Sequence, residues 1–198
     1  MNKLITATSA LLLLGLSTPS LANDWYVGAN ASKQKIAADT ITGKDFSTLG
    51  LTAGYSINQY LSIEARYLSS INDDEIDVIT LEGQATSSYE INNQINLLVK
   101  ASYPIYQNLS AFAFSGYSDT KMTATLKYKS TNQVDREKRT FDGLTYGLGV
   151  NYQFDPKVSI SIEYQILPDH ELDININDTF QAISQDWSSL NLGVTYTF

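Results

Sequence analysis

Glu64 and Arg66, two residues apart, together with Lys100 and Glu163, fall at alternate positions of extended segments whose other face is apolar. Two carboxylates and two cations in a confined space can neutralise one another or can gate a passage for ions. A buried charge without a partner costs several kcal/mol, so Arg66 and Lys100 are expected to share Glu64 and Glu163 in one network. A packed polar plug is the first reading, and a narrow pore gated by the same four residues is the alternative.

The other chemistry-bearing residues are sparse. His170 is the chain's one histidine and stands between Asp169 and Glu171, with no serine at short spacing. A histidine beside carboxylates can hold a metal, but a solvated loop histidine fits the same three residues. Gly-rich phosphate loops, H-E-x-x-H and G-x-S-x-G are absent from the sequence. No catalytic residue, metal site or cofactor is therefore assigned, and an enzyme is not expected. Charge is uneven along the chain. Lys121, Lys127, Lys129, Arg136, Lys138 and Arg139 place six of the 13 basic residues in one segment. Asp73, Asp74, Glu75, Asp77 and Glu82, and then Asp169, Glu171, Asp173, Asp178 and Asp186, make two others acidic. Segments of opposite sign can simply attract each other. Alternatively the basic one meets lipopolysaccharide phosphates and the acidic ones meet divalent cations.

These side chains need elements to hold them, and the chain's patterning is that of strands. Period-two alternation recurs over segments of about ten residues, with no sustained helical spacing in the 176 residues left after an export signal is set aside. That signal is residues 1–22: Lys3, an apolar run to Leu16, and Ser20-Leu21-Ala22 as a small-x-small cleavage site. Residues 23–198 then form one domain. Leu190, Leu192, Val194, Tyr196 and Phe198 alternate with Ser189, Asn191, Gly193, Thr195 and Thr197. Leu144 to Phe154, Val158 to Ile166, Leu49 to Ile57 and Leu61 to Tyr67 repeat the pattern, and Asp24–Lys33, Ile91–Tyr103 and Leu109–Ser118 complete eight strands.

Connections alternate between short turns near residues 58, 105 and 156 and long polar segments at 34–47, 69–88, 119–140 and 168–186. That order requires antiparallel strands with both termini on the short-turn side. A water-soluble sandwich or ligand-holding barrel would turn its apolar faces inward. Here the opposite face carries Gly, Ser, Thr, Asn and a few charges, which suits the inside of a narrow barrel, and ten residues suit a tilted transmembrane strand. Aromatic residues gather in two expected belts. Trp25, Tyr26, Tyr55, Tyr60, Tyr103, Tyr106, Tyr152, Phe154, Tyr196 and Phe198 lie near the short turns or chain ends, and Tyr67, Tyr89, Tyr117, Phe141 and Trp187 near the long segments. One strand stays ambiguous, because Leu109, Ala111 and Ala113 oppose Phe112 and Phe114, and a bulge there would reconcile them. Alternation also continues into two long segments, at Met122–Tyr128 and Leu172–Ile176, so strands are expected to project beyond the membrane and leave an edge that can add a partner's strand.

With this pattern the chain resembles the small eight-stranded outer-membrane proteins of Gram-negative bacteria of the OmpA and OmpX type. The most specific element is the C-terminal Asn191-x-Gly193-x-x-Tyr196-x-Phe198, similar to that family's assembly signal. The resemblance implies an antiparallel up-and-down transmembrane β-barrel in the outer membrane, inserted as a monomer by the barrel assembly machinery among lipid and lipopolysaccharide. It also implies a structural or adhesin-like role through extracellular loops that meet a surface protein. OmpA continues into a peptidoglycan-binding domain where this chain stops at Phe198, so that role is not carried over. The net charge of −8 argues against nucleic acid as a partner.

Overall fold

The computed structural model describes residues 25–38, 41–71, 74–80, 83–128, 134–168, 172–176, 179–183 and 185–198, with backbone alone at 37–38, 41–44, 74–80, 83–85, 172–176, 179–183 and 185. The expected export signal lies outside these residues. The strands are β1 (Trp25–Ala38), β2 (Ile41–Asn58), β3 (Leu61–Ser70), β4 (Asp74–Thr80), β5 (Gly83–Tyr106), β6 (Leu109–Tyr128), β7 (Val134–Asp155), β8 (Val158–Ile166), β9 (Leu172–Ile176), β10 (Thr179–Ile183) and β11 (Gln185–Thr197).

Eight of them close a ring, β1-β2-β3-β5-β6-β7-β8-β11, in which every neighbouring pair is antiparallel and β11 returns to β1. Closure removes the sheet edges that hydrocarbon could not satisfy. The three short turns and both ends of the ring lie at one end of the barrel. Asn58 Oδ1 accepts from the N–H groups of Tyr60 and Leu61 at 2.8 and 2.9 Å, and Asp155 Oδ1 accepts from Lys157 N–H at 3.1 Å, so two of the turns are built on a side-chain acceptor. A bulge precedes or begins each turn, at Ser56/Asn58, Pro104/Tyr106 and Gln153/Asp155.

The long segments read as loops are largely strand. β5, β6 and β7 run for 24, 20 and 22 residues, about twice the 9–11 that a tilted strand needs to cross hydrocarbon. β4 pairs with the upper part of β5, and β9 with β10, so most of these polar residues satisfy their backbone groups by pairing. Alternation of threonine, serine and charged residues is compatible with a strand that meets water on both faces, which is why polarity alone misread them.

The outward face is apolar. Leu49, Leu51, Ile63, Leu97, Val99, Leu144, Leu148, Val150, Ile162, Leu190, Leu192 and Val194 are all exposed, whereas the inward residues between them are polar or glycine apart from the buried Leu98. A water-soluble barrel or sandwich has the reverse arrangement. Leu148, 66% exposed, sits midway along the outward face of β7 between Tyr152 and Leu144. Leu148→Arg is expected to destabilise the barrel in phosphatidylcholine vesicles by about 2–4 kcal/mol. Val134→Arg, on the part of β7 beyond the apolar band, should change the urea midpoint little. Equal midpoints for the two variants would refute a membrane-facing surface.

Candidate functional site

Inside the ring the four charged residues come together. Arg66 donates from Nε to Glu64 and from both terminal nitrogens to Glu163, Nη2 reaching Oε2 at 2.9 Å, so its guanidinium bridges two carboxylates across the lumen. Lys100 Nζ lies 3.4 Å from Glu64 Oε2. Glu64, Arg66 and Glu163 are buried, while Lys100 keeps some access to solvent. In the register, Gly54↔Glu64 and Gly149↔Glu163 put a glycine beside each carboxylate, and the space over the two glycines is taken by the rings of Tyr26 and Phe112.

Neutral groups complete the layer. The Tyr26 hydroxyl donates to Glu64 Oε2 at 2.8 Å, and Asn191 Nδ2 donates to Glu163 Oε1 at 3.0 Å and to Gln165 Oε1 at 3.2 Å. Tyr26, expected in the interfacial belt, is therefore a lumen residue. It shares strand parity with Asn30 and Ser32, both buried, and that parity was the signal that an aromatic-belt reading overrode. Asn191 and Gly193 of the expected assembly signal are buried, while Tyr196 and Phe198 are exposed on the outer face with ring centroids 5.6 Å apart.

The ambiguous strand resolves without a bulge. β6 pairs with β7 in unbroken register from Leu109↔Tyr152 to Lys127↔Val134, with Phe112 and Phe114 each 4% exposed inside and Ala113 outside. Phe112 lies opposite Gly149 and Phe114 opposite Gly147, and a methyl group on either glycine would run into the facing ring. The rings serve the cations. Lys100 Nζ stands 4.1 Å from the Phe112 centroid and Arg66 Cζ 5.5 Å from that of Phe114, both within cation–π reach.

Above the charged layer, Gln34 Nε2 donates to Gln94 Oε1 at 2.6 Å across the barrel, and Trp187 Nε1 donates to Gln34 Oε1 at 3.0 Å. Trp187 is buried, not a belt residue, and joins Phe46, Ile91, Met122 and Leu167 in an apolar cluster, with Ile36, Tyr89 and Phe141 packed against it. This cluster closes the lumen toward the long-hairpin end. Below the charged layer a polar vestibule of about 340 Å³ opens toward the short turns, lined by Tyr26, Ser62, Lys100, Ser102, Phe112 and Ser161.

The basic segment is a projecting hairpin. On β6 and β7 the positions Lys121↔Thr140 and Lys127↔Val134 alternate in step with Arg136 and Lys138, so Lys121, Lys127, Arg136 and Lys138 fall on one face, all exposed. Arg139 falls on the other face, where its Nη2 lies 2.9 Å from Glu137. Lys129, Asp73, Glu82, Asp169, His170, Glu171 and Asp178 lie outside the described residues, and of Asp74, Glu75, Asp77 and Asp173 the backbone alone is described.

A family model described as the outer membrane protein beta-barrel domain matches residues 8–198. Outer membrane protein A of Yersinia pseudotuberculosis serotype I (strain IP32953) is 26% identical over 203 residues, covering 96% of this chain and 54% of that protein, so the chain spans about half the length of this relative. Among solved structures, Ail, the attachment invasion locus protein of Yersinia pestis, aligns with a TM-score of 0.60 at 13% identity over 90% of this chain and 100% of that one. The same protein in complex with the heparin analogue sucrose octasulfate aligns at 0.58, with 14% identity and the same coverage. Neisserial surface protein A gives 0.57 at 16% identity over 88% of this chain and 97% of that one. These structures share the fold.

Proposed function

Because this chain belongs to the outer membrane protein beta-barrel domain family, we propose that it acts at the bacterial surface through the sheet that rises beyond the membrane, its basic β6–β7 hairpin holding anionic sugars. The protein is an integral outer-membrane barrel with a side-chain-filled polar lumen, and this role is structural and adhesin-like rather than catalytic. The observation that carries the reading is the single face formed by Lys121, Lys127, Arg136 and Lys138. Alternate residues on a strand lie about 7 Å apart, a spacing at which two cations contact separate phosphate or sulfate groups of one saccharide. Ail, which shares this fold, has been crystallised with a sulfated heparin analogue, and ligand chemistry of that kind fits this face.

The lipopolysaccharide of the same membrane and a sulfated glycan of another surface present the same chemistry. Lys127→Ala combined with Arg136→Ala and Lys138→Ala removes three cations at about 1 kcal/mol each, so affinity for either should fall roughly a hundredfold. Binding of the refolded protein to immobilised heparin and to lipopolysaccharide micelles measures both arms. Retention unchanged on both surfaces would remove the proposal, and loss on one would name the source. Residues 1–22 are proposed as the export signal, and Asn191, Gly193, Tyr196 and Phe198 as the signal read by the barrel assembly machinery. Phe198 supports this by its place at the seam, its N–H donating to Trp25 O at 3.1 Å where β11 meets β1.

A further inference from the structure

Beyond the apolar band, β4, β5, β6 and β7 form a four-stranded sheet that the barrel does not close. Among the described residues, β4 at one side bonds to β5 alone, and at the other β7 bonds to β8 from Tyr146 downward, so Val134–Thr140 has no second neighbour. Unpaired strand edges are templates for another strand, and natural proteins guard them with charge. A guard of one sign repels its own kind. These two edges differ: β4 carries Asp74, Glu75 and Asp77 and no cation, and Val134–Thr140 carries Arg136, Lys138 and Arg139 with Asp135 and Glu137.

We propose that a second copy of this chain docks edge to edge, the β4 strand of one copy pairing antiparallel with the β7 strand of its neighbour in the same membrane. The direction of the strands sets the orientation. β4 runs away from the short-turn end and β7 runs back toward it, so an antiparallel pair forms between copies that stand the same way up. The register is set by charge. With Asp77 opposite Arg136, Glu75 falls opposite Lys138, Asp74 opposite Arg139 and Ile79 opposite Val134, giving three opposite-charge pairs and one apolar pair. A shift of two residues in either direction keeps one opposite-charge pair, and a shift of one residue puts the outward positions of one strand on the inward face of the other. Because the two contact surfaces differ, the contact propagates, and rows or clusters result rather than closed pairs. The inference shares Arg136 and Lys138 with the saccharide-binding face but requires no saccharide.

The chain has no cysteine, so Gln107→Cys at an exposed short turn takes a single fluorophore. Donor- and acceptor-labelled protein is reconstituted into phosphatidylcholine vesicles at low salt, with folding verified by the heat-dependent shift of the barrel on gels. Energy transfer above the level of random proximity is expected, lost at high salt and lost in Glu75→Lys/Asp77→Lys and in Arg136→Glu/Lys138→Glu. Mixing those two variants restores opposite edges and should restore transfer. Wild-type transfer at the random level, or transfer that survives in both variants, overturns the inference. Lys121→Ala/Lys127→Ala, on β6, leaves both edges intact, so loss of heparin binding with energy transfer retained in this variant tests the proposed function separately.

Discussion

Replacing Arg66 by methionine is expected to destabilise the folded barrel by about 3–5 kcal/mol, a large part of the stability of a domain of this size. The loss comes less from the contacts removed than from the charges left behind. Glu64 and Glu163 remain buried on opposite walls, each having lost its principal donor, with Asn191 and Tyr26 supplying neutral hydrogen bonds. Lys100 stays 3.4 Å from Glu64 and offsets part of that carboxylate's cost, while Glu163 has no such second cation within ion-pair distance among the described residues. Two controls separate charge from volume. Glu64→Gln/Arg66→Met/Lys100→Met/Glu163→Gln removes all four charges together and should recover most of the stability, as buried ion pairs replaced by neutral groups commonly do. Lys100→Met should cost less than Arg66→Met, because Lys100 is partly solvated and Glu64 keeps the guanidinium. Urea unfolding of the refolded protein measures all of these. An Arg66→Met midpoint equal to the wild type would mean that the four charges do not act as one network.

How much of this was legible in the sequence depended on whether polarity and side-chain direction agree. Along Leu144–Phe154 and Leu190–Phe198 they do, and the outward face, the closed ring and the inward charges all follow from alternation. At Phe112 and Phe114 they disagree. A lumen must be filled, not merely polar, and Gly147 and Gly149 on the facing strand open space that two phenylalanines occupy beneath Arg66 and Lys100. The glycines were visible, but pairing them with the phenylalanines required the β6–β7 register. Trp187 failed for a related reason, and Phe46 lay in the segment 34–47 that was read as a loop. Trp187 shares parity with the inward Ser189, but an aromatic near a strand end reads equally well as a belt residue. The cluster they form draws on Ile91, Met122 and Leu167 from distant strands, so nothing local announces it. Projecting strands were expected at Met122–Tyr128 and Leu172–Ile176, whereas the edge strands themselves, β4 and the upper part of β7, lay in segments read as loops, and their opposite charge gained meaning once they stood at the two sides of one sheet.

A planar bilayer holding the folded wild-type protein is expected to show no steady conductance, and opening it should require two separate changes. An ion entering the vestibule at the short-turn end meets the layer in which Arg66 spans from Glu64 to Glu163, filling the lumen at that height. Beyond it stands the apolar layer of Phe46, Ile91, Met122, Leu167 and Trp187, where a passing ion would lose its water without gaining a polar partner. Barriers in series add, so removing the smaller leaves the larger in control. Glu64→Ser/Arg66→Ser/Glu163→Ser clears the charged layer with small neutral side chains and should stay silent behind the apolar one. Phe46→Ala/Trp187→Ala thins the apolar layer and should stay silent behind the guanidinium bridge. The five substitutions together clear both layers and leave the Gln34–Gln94 pair, whose amide groups can partner a passing ion, so they should produce a steady current that scales with salt. Steady wild-type current would instead identify a narrow pore, with Glu64, Arg66, Lys100 and Glu163 as its gate. Current from the first variant alone would show that the apolar cluster opens readily and that the ion network is what holds the barrel shut.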